Sequence, residues 1–465
     1  MEPPLTDEEI AAVADKLRDD LIDTVILAGV DSHGIMRGKR VPVDQAPRVL
    51  KHGMPLCDVF WVMHIDESAL VDRPEGYTHY FPSRVRGYPD ILAVADVASL
   101  RVVPWHPSTA LFLCNWHQLD HAPVPIDPRA ILQRVVGRSQ DMGLDPFCGI
   151  ELEFYVLRED SASLLRRRPA DLVPLSDRPS TYGVVKGSEH EPIARLIRST
   201  MAEFGLPIEA CNPETGPGQF ELTLRYSSAL QAADEAFLFK TAVKEIVAQQ
   251  GFVATFMAKP RADWAGNSCH LHLSLRDEQG ANAFYDDSAP QGISEVMRSF
   301  IAGSLRSMGE LSAVFGPTVN SYRRFGPYSW AATTATWGID NRSTGMRVIC
   351  EGDAGTRAEN RRPGGDANPY LATAAALAGG LAGIEEGLTP PAMVDDYVYA
   401  YPRDAFPELP RSLKEAIGPL AASKVARRWL GEDFVRHFVA MKQAEVDAFE
   451  LAVTDWEVAR FLEAV

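Results

Sequence analysis

No stretch of this sequence approaches the ~18 consecutive apolar residues of a membrane-crossing helix, which excludes a bilayer-spanning segment of that kind. Positive charge is also short: 46 Lys and Arg face 63 Asp and Glu, a net charge of −17. Non-specific nucleic-acid binding depends on basic residues displacing phosphate counterions, so that class of partner is disfavoured. A local anion site built from a few arginines is not. The six cysteines (57, 114, 148, 211, 269 and 350) include no C-x-x-C pair, which argues against a zinc ribbon or disulfide scaffold and suits a reducing cytoplasm. The opening MEPPLTDEEIAAVADKLRDD is acidic and amphipathic, unlike a cleavable signal. The patterns G-x-x-x-x-G-K-[ST], G-x-G-x-x-G and G-x-S-x-G are missing, as are internal repeats. Any nucleotide must therefore be held by metals and arginines instead of a phosphate loop.

What remains is ordinary globular composition, 46% apolar and 23% charged, over 465 residues, enough for two or three domains. Thr6-Asp-Glu-Glu9 has the form of a capping box, and Ile10, Val13, Leu17 and Leu21 follow at helical spacing, predicting a helix over about 7–20. Short β-like runs at 24–29, 59–63, 90–95 and 110–114, separated by Gly and Pro, predict a small sheet-rich domain over 1–120. Three prolines in HAPVPIDPR (121–129) predict a linker over 121–127 and a larger domain over 128–465. Helices are expected near 128–142, 190–204, 228–250, 292–308 and 368–387, with an amphipathic helix towards the C-terminus. The loop 159–181, with its arginine run 166–168, reads as a solvated face.

Three alternating segments carry the chemistry. In Glu151-Leu-Glu153-Phe-Tyr155-Val, residues 151, 153 and 155 share one face and the apolar residues the other. Glu221-Leu-Thr223-Leu-Arg225 and His270-Leu-His272-Leu-Ser274-Leu alternate in the same way. Taken singly, each is an amphipathic strand with its polar groups in water. If their polar faces converge, the clustered carboxylates repel one another and require cations, with oxygen and imidazole donors suited to magnesium, manganese or zinc. A further stretch places Arg342, Arg347, Arg357, Arg361 and Arg362 within 21 residues, interleaved with acids. Guanidinium forks of this kind match phosphate or carboxylate oxygens, or make surface ion pairs.

In order along the chain, GIELEFYVL (149–157), NPETGPGQFELTL (212–224), GNSCHLHLSL (266–275), NSYRRFGP (320–327), WGIDNRSTGMRV (337–348) and AENRRPGGDANPYL (358–371) resemble the glutamine synthetase family. The resemblance extends over nearly the whole chain, including the tail VTDWEVARFLE (453–463). It implies an α+β fold: a small β-grasp N-terminal domain and a large catalytic domain with an antiparallel β-sheet funnel and surrounding helices. It also implies rings of subunits, usually two stacked hexamers forming a dodecamer, with each site completed by the neighbour's N-terminal domain. The implied chemistry is ATP-dependent: the γ-carboxylate of glutamate takes the γ-phosphoryl group, and a nitrogen nucleophile then displaces phosphate.

By motif position the resemblance implies two divalent ions, Mg2+ or Mn2+, one among Glu153, Glu214 and Glu221 and one among Glu151, His270 and Glu359. Arg342 falls at the position that stabilises the transferring phosphoryl, with Arg347 and Arg357 on the nucleotide phosphates. Glu209, His272 and Ser274 match nucleotide-side positions, and Tyr226 is placed to stack near the adenine. Arg324 and Arg361 match the pair that clamps glutamate, with Glu153 and Gly266 at its amino group. Asp90, in YPDILAVAD, falls where an aspartate is lent across the subunit interface to help deprotonate the nitrogen.

The sequence departs from the pattern where ammonia is handled. Counting through NSYRRFGPYSWAA places Trp330 at the position of a flap glutamate, and the nearest acids along the chain are Glu310 and Asp340. F-D-G-S-S, which supplies another ammonium-site aspartate, is missing; HIDESALVDR (64–73) stands nearby. An indole cannot accept protons from ammonium but can pack on an alkyl chain and face an alkylammonium. A complete metal and arginine set with a broken ammonium set resembles the branch joining glutamate to polyamines or small monoamines. Two alternatives stay open at this point: an ordinary glutamine synthetase using ammonia, and a catalytically inactive structural or regulatory ring.

Overall fold

The computed structural model describes residues 5–68, 80–81, 83–164, 171–326, 328–402 and 404–465. The arginine run 166–168 and the second half of the 64–73 segment lie outside the described residues. The chain begins with the helix Asp7–Asp19, closed by the capping box: the Thr6 hydroxyl accepts from the Glu9 amide, and the Glu9 carboxylate accepts from the Thr6 amide. Its buried residues Ile10, Ala14 and Leu17 recur at helical spacing.

Among the described residues, six strands form the first sheet: β1 (Thr24–Val30), β2 (Met36–Pro42), β3 (Met54–Cys57), β4 (Asp90–Ala95), β5 (Arg101–Val102) and β6 (Thr109–His117). Their order is β2-β1-β6-β4-β3, with β5 also on β6. β1 and β6 run parallel at the centre and the other pairs antiparallel. A strand covered on both faces needs a continuous apolar run, and β1 has one: every residue from Val25 to Val30 is buried. Gly29 makes room for Trp116, since a Cβ there would stand 2.6 Å from the indole, whose Nε1 donates to the Val30 carbonyl at 2.9 Å.

The run at 59–63 is not a strand. Asp58–Val62 is a 3-10 turn that buries Phe60, Trp61 and Val62 in succession. A short apolar run with no polar alternation carries no strand period, and here the tight turn aims three adjacent side chains inward.

Nine strands among the described residues form the second sheet: β7 (Asp145–Leu157), β8 (Ile208–Pro213), β9 (Gln219–Leu224), β10 (Ser227–Ser228), β11 (Val253–Thr255), β12 (Cys269–Arg276), β13 (Trp337–Ile339), β14 (Met346–Ile349) and β15 (Arg357–Asn360). The order is β13-β14-β15-β12-β7-β9-β8, with β10 and β11 also on β7. All pairs are antiparallel except β13 with β14.

The helices Pro128–Asp141, Ala229–Gln249, Glu295–Met308 and Pro369–Glu385 supply the apolar layer for this fold. The last is buried over most of its length and opens at Asn368, whose side chain accepts from the Tyr370 and Leu371 amides. Glycines let it cross Glu295–Met308 closely: a Cβ on Gly303 would stand 2.3 Å from the Gly379 carbonyl. One continuous apolar core runs from Ile10 through both sheets to Val446. Among the described residues, no helix is long and apolar enough to cross a membrane.

Candidate active site

β7 lies between β9 and β12, and this order brings the three alternating segments together. The register then sets their polar residues in cross-strand pairs: Glu153 opposite Glu221, Glu151 opposite His270, and on the far side of β12 His272 opposite Glu359. Leu152, Phe154, Leu271 and Leu273 bury the other face. Glu359 in turn faces Arg347 on β14. The sheet thus carries a row of acids, imidazoles and guanidinium across five strands.

Glu151 is the centre of this row. Its oxygens lie 3.2 Å from His270 Nδ1 and 3.0 Å from His272 Nε2, and His270 Nδ1 is 3.5 Å from Glu359. Glu151, Glu221 and His270 each offer one ligand atom within 4.8 Å of the others, and so do Glu151, His272 and Glu359. The geometry therefore groups Glu221 with Glu151 and His270, and draws His272 into a second group that motif position had divided differently.

The charges show why a cation fits. Glu221 is pushed up to about 8, first by burial and then by the carboxylates of Glu151, Glu153 and Glu214. Burial and Glu153 raise Glu214 as well. Like charges directly opposite on adjacent strands are destabilising unless something neutralises them. Glu153 is also oriented, because its carboxylate accepts from the Ser268 amide at 2.6 Å. Glu359 has the opposite balance: burial raises it, but Arg361 and the two histidines outweigh burial and hold it down at about 2.

The arginines differ in what holds them. Arg347 donates to Glu359 at 2.9 Å and to Asp340 at 2.6 Å, and Arg361 pairs with the other Glu359 oxygen. Arg357 reaches His272 Nδ1 at 3.3 Å and Glu351 at 2.8 Å. Arg342 is half exposed, its nearest carboxylate being Asp340 at 3.7 Å, so it is held only loosely. Arg324 is buried; one nitrogen bonds the carbonyls of Arg361, Arg362 and Pro363, while its Nε and Nη1 have no partner among the described residues. Unpartnered buried guanidinium nitrogens are costly unless a ligand meets them. Gly266 is required beside it, since a Cβ there would stand 2.5 Å from Arg324 Cγ. Arg362 does not join the site. It is fully buried, stacked 3.5 Å from the Phe325 ring centre and bonded to the Ala332 and Pro410 carbonyls.

On the nucleotide-side positions, Ser274 and His272 lie along β12, and Tyr226 is half exposed beside Gly149, the residue paired with His272. Glu209 sits exposed at the irregularity between Ile208 and Ala210, lining a groove with Arg198, Leu206 and Cys211. Asp90 is exposed at the first position of β4 with no side-chain bond among the described residues, and stands in the other sheet.

Trp330 is 58% exposed, at a positive φ of 57°, and its carbonyl accepts from Arg361 Nη2 at 3.4 Å. Around it is a group that sequence reasoning missed. The Tyr328 ring lies 6.3 Å from Tyr397 and 5.7 Å from Tyr399, and the Tyr399 hydroxyl donates to the Ala331 carbonyl at 2.8 Å. Burial raises the Tyr399 phenol, with Arg361 and Arg324 near enough to oppose it. The only sequence signal was aromatic density, YVYAY at 397–401.

Residues 125–461 match the glutamine synthetase catalytic-domain model. The chain belongs to the glutamine synthetase family and is an ATP-dependent C–N ligase. Over 462 residues it is 40% identical to gamma-glutamylethanolamide synthetase of Streptomyces coelicolor, covering 99% of this chain and 96% of that protein. It is 35% identical to glutamate–isopropylamine ligase of a Pseudomonas species, covering 98% and 99%. The solved GmaS/ADP complex aligns with a TM-score of 0.83 at 30% identity, covering 97% of this chain and 99% of that one.

Proposed function

We propose that this chain joins the γ-carboxylate of L-glutamate to an alkyl amine, a polyamine or small monoamine, through γ-glutamyl phosphate. The observation that carries the reading is the Trp330 flap. It abuts Arg361, one of the two arginines assigned to glutamate, and residues 320–337 contain no acid. The names of the two curated relatives, each an amide-forming enzyme acting on a small organic amine, support it.

In this reading Arg324 and Arg361 hold the substrate carboxylate, with the unpartnered nitrogens of Arg324 available to it. Arg347, Arg357, His272, Ser274, Glu209 and Tyr226 hold ATP. Two magnesium or manganese ions, held by Glu151, Glu153, Glu214, Glu221, His270 and Glu359, supply charge neutralisation at the phosphate oxygens when bound. A γ-carboxylate oxygen attacks the γ-phosphorus and ADP leaves, while Arg342, free to move, meets the charge that builds on the transferring group. The amine nitrogen then attacks the acyl carbon, loses a proton to Asp90 of a neighbouring subunit, and phosphate departs. Trp330 and the tyrosines beside it give the alkyl chain a surface in place of the ammonium carboxylate. The assembly that fits is the family's double hexamer, with a β-grasp domain over 1–120, a linker over 121–127 and a funnel-shaped catalytic domain over 128–465.

Each methylene buried against that surface contributes roughly 0.8 kcal/mol, about fourfold in binding, which ammonium cannot obtain. The test is steady-state kcat/KM for ammonium, ethanolamine, putrescine and spermidine at matched free-base concentrations. An alkyl amine should lead, and Trp330→Glu should shift the ratio towards ammonium. Ammonium as the best substrate of the panel would make this an ordinary glutamine synthetase.

A further inference from the structure

Helix Ala229–Gln249 buries the ammonium of Lys240 with no carboxylate at ion-pair distance among the described residues. A buried charge without a counter-ion is expensive, and here its donors go to two backbone carbonyls, Gly365 and Ala367, each at 2.8 Å. The ring of Phe256 lies 5.5 Å away. Burial is the main reason its pKa falls to about 8.

The loop it grips, residues 363–367, begins two residues after Arg361. On its other flank Arg324 donates to the carbonyls of Arg361, Arg362 and Pro363. Between these cations the Gly365 amide donates to the Asn267 carbonyl at 2.9 Å. A Cβ on Gly365 would meet Phe256 O and Asn267 Cβ at 3.0 Å and Glu153 O at 3.2 Å, so the loop has no slack against the strand that carries Glu153. Asp366 accepts from Thr318 and Ser321 at 2.8 and 2.6 Å, tying the loop to the segment that leads into Arg324. Arg361 thus stands just ahead of this loop and Arg324 bonds across to its start, with Lys240 as the loop's anchor on the helix side.

We propose that Lys240 is a positioning residue for the Arg324–Arg361 pair: by fixing the Gly365 and Ala367 carbonyls it sets where those guanidinium groups stand. The proposal rests on the reading of that pair as the glutamate clamp.

The test compares Lys240→Met and Gly365→Ala with the parent enzyme. The first removes the anchor at similar volume, and the second presses on the same loop from the opposite side with Lys240 intact. Each should raise KM for glutamate at least tenfold while KM for ATP changes less than threefold. Faster hydrogen exchange of the Gly364, Gly365 and Ala367 amides should accompany the Lys240→Met change. Should Lys240→Met fail to assemble, Lys240→Arg, which keeps the charge but changes the reach to the two carbonyls, carries the comparison with the same split in KM expected. Equal rises in both KM values, or an unchanged glutamate KM, would overturn the positioning role. Arg361→Lys is the control: if it raises the glutamate KM while the other two variants do not, Lys240 is a fold residue only. If none of the three raises it, the clamp assignment falls with the proposal.

Discussion

Replacing Glu221 with Gln should make the metal-free protein more stable at neutral and alkaline pH, although it removes a proposed metal ligand. The carboxyl is raised from an ordinary 4.5 to about 8, by burial first and by three neighbouring carboxylates next. A carboxyl raised on folding keeps its proton in the folded state over a range where the unfolded chain has lost it. Stability is therefore fully present below about 4.5 and is lost as pH rises towards about 8. One pKa unit corresponds to about 1.4 kcal/mol, so the loss amounts to several kcal/mol by pH 8, a shift of a few degrees in Tm for a chain of this size. The assay is thermal unfolding of wild type and Glu221→Gln in excess chelator from pH 5.5 to 8.5, at one fixed protein concentration. Wild type should lose Tm across that window more steeply than the variant, and millimolar magnesium should restore wild type far more than Glu221→Gln. A variant less stable than wild type at pH 8 in chelator, or parallel pH profiles, would refute the idea that crowded acids are unneutralised without metal.

On the role proposed for the half-exposed Arg342, Arg342→Lys should lower kcat by ~10²-fold or more with little change in the KM for ATP, because a group that meets only the building charge contributes to the transition state alone. A mutant that mainly loses ATP affinity would place Arg342 on ground-state phosphates. Gly266→Ala should raise the glutamate KM by an order of magnitude or more, since its methyl would stand 2.5 Å from Arg324 Cγ and must displace that side chain. An unchanged glutamate KM would detach Arg324 from substrate binding.

The alternating segments made the polar faces legible from the sequence, because a period of two leaves little choice about which side chains share a side. Which strands are neighbours was not legible. Only the order β12-β7-β9 turns separate faces into the pairs Glu151–His270 and Glu153–Glu221. Arg362 misled for a related reason: in the sequence it is one of five clustered arginines, yet it falls just past the end of β15 and drops into the core against Phe325. Lys240 reads as an ordinary charged position in a helix until the loop 363–367, over a hundred residues later, closes on it. The tyrosine rim escaped because Val398–Ala400 is a 3-10 turn without the amphipathic period that marks a strand or helix.

Glu359 gives one carboxylate two masters. One oxygen faces Arg361, assigned to glutamate, and the other Arg347, assigned to the nucleotide, with the whole group buried. On that assignment the two substrate pockets draw on a single negative charge, and loading either one changes the field felt in the other. Linkage then requires reciprocity: the factor by which nucleotide alters the affinity for glutamate equals the factor by which glutamate alters the affinity for nucleotide. On that assignment the coupling would pass through one buried side chain of the sheet, without any moving lid.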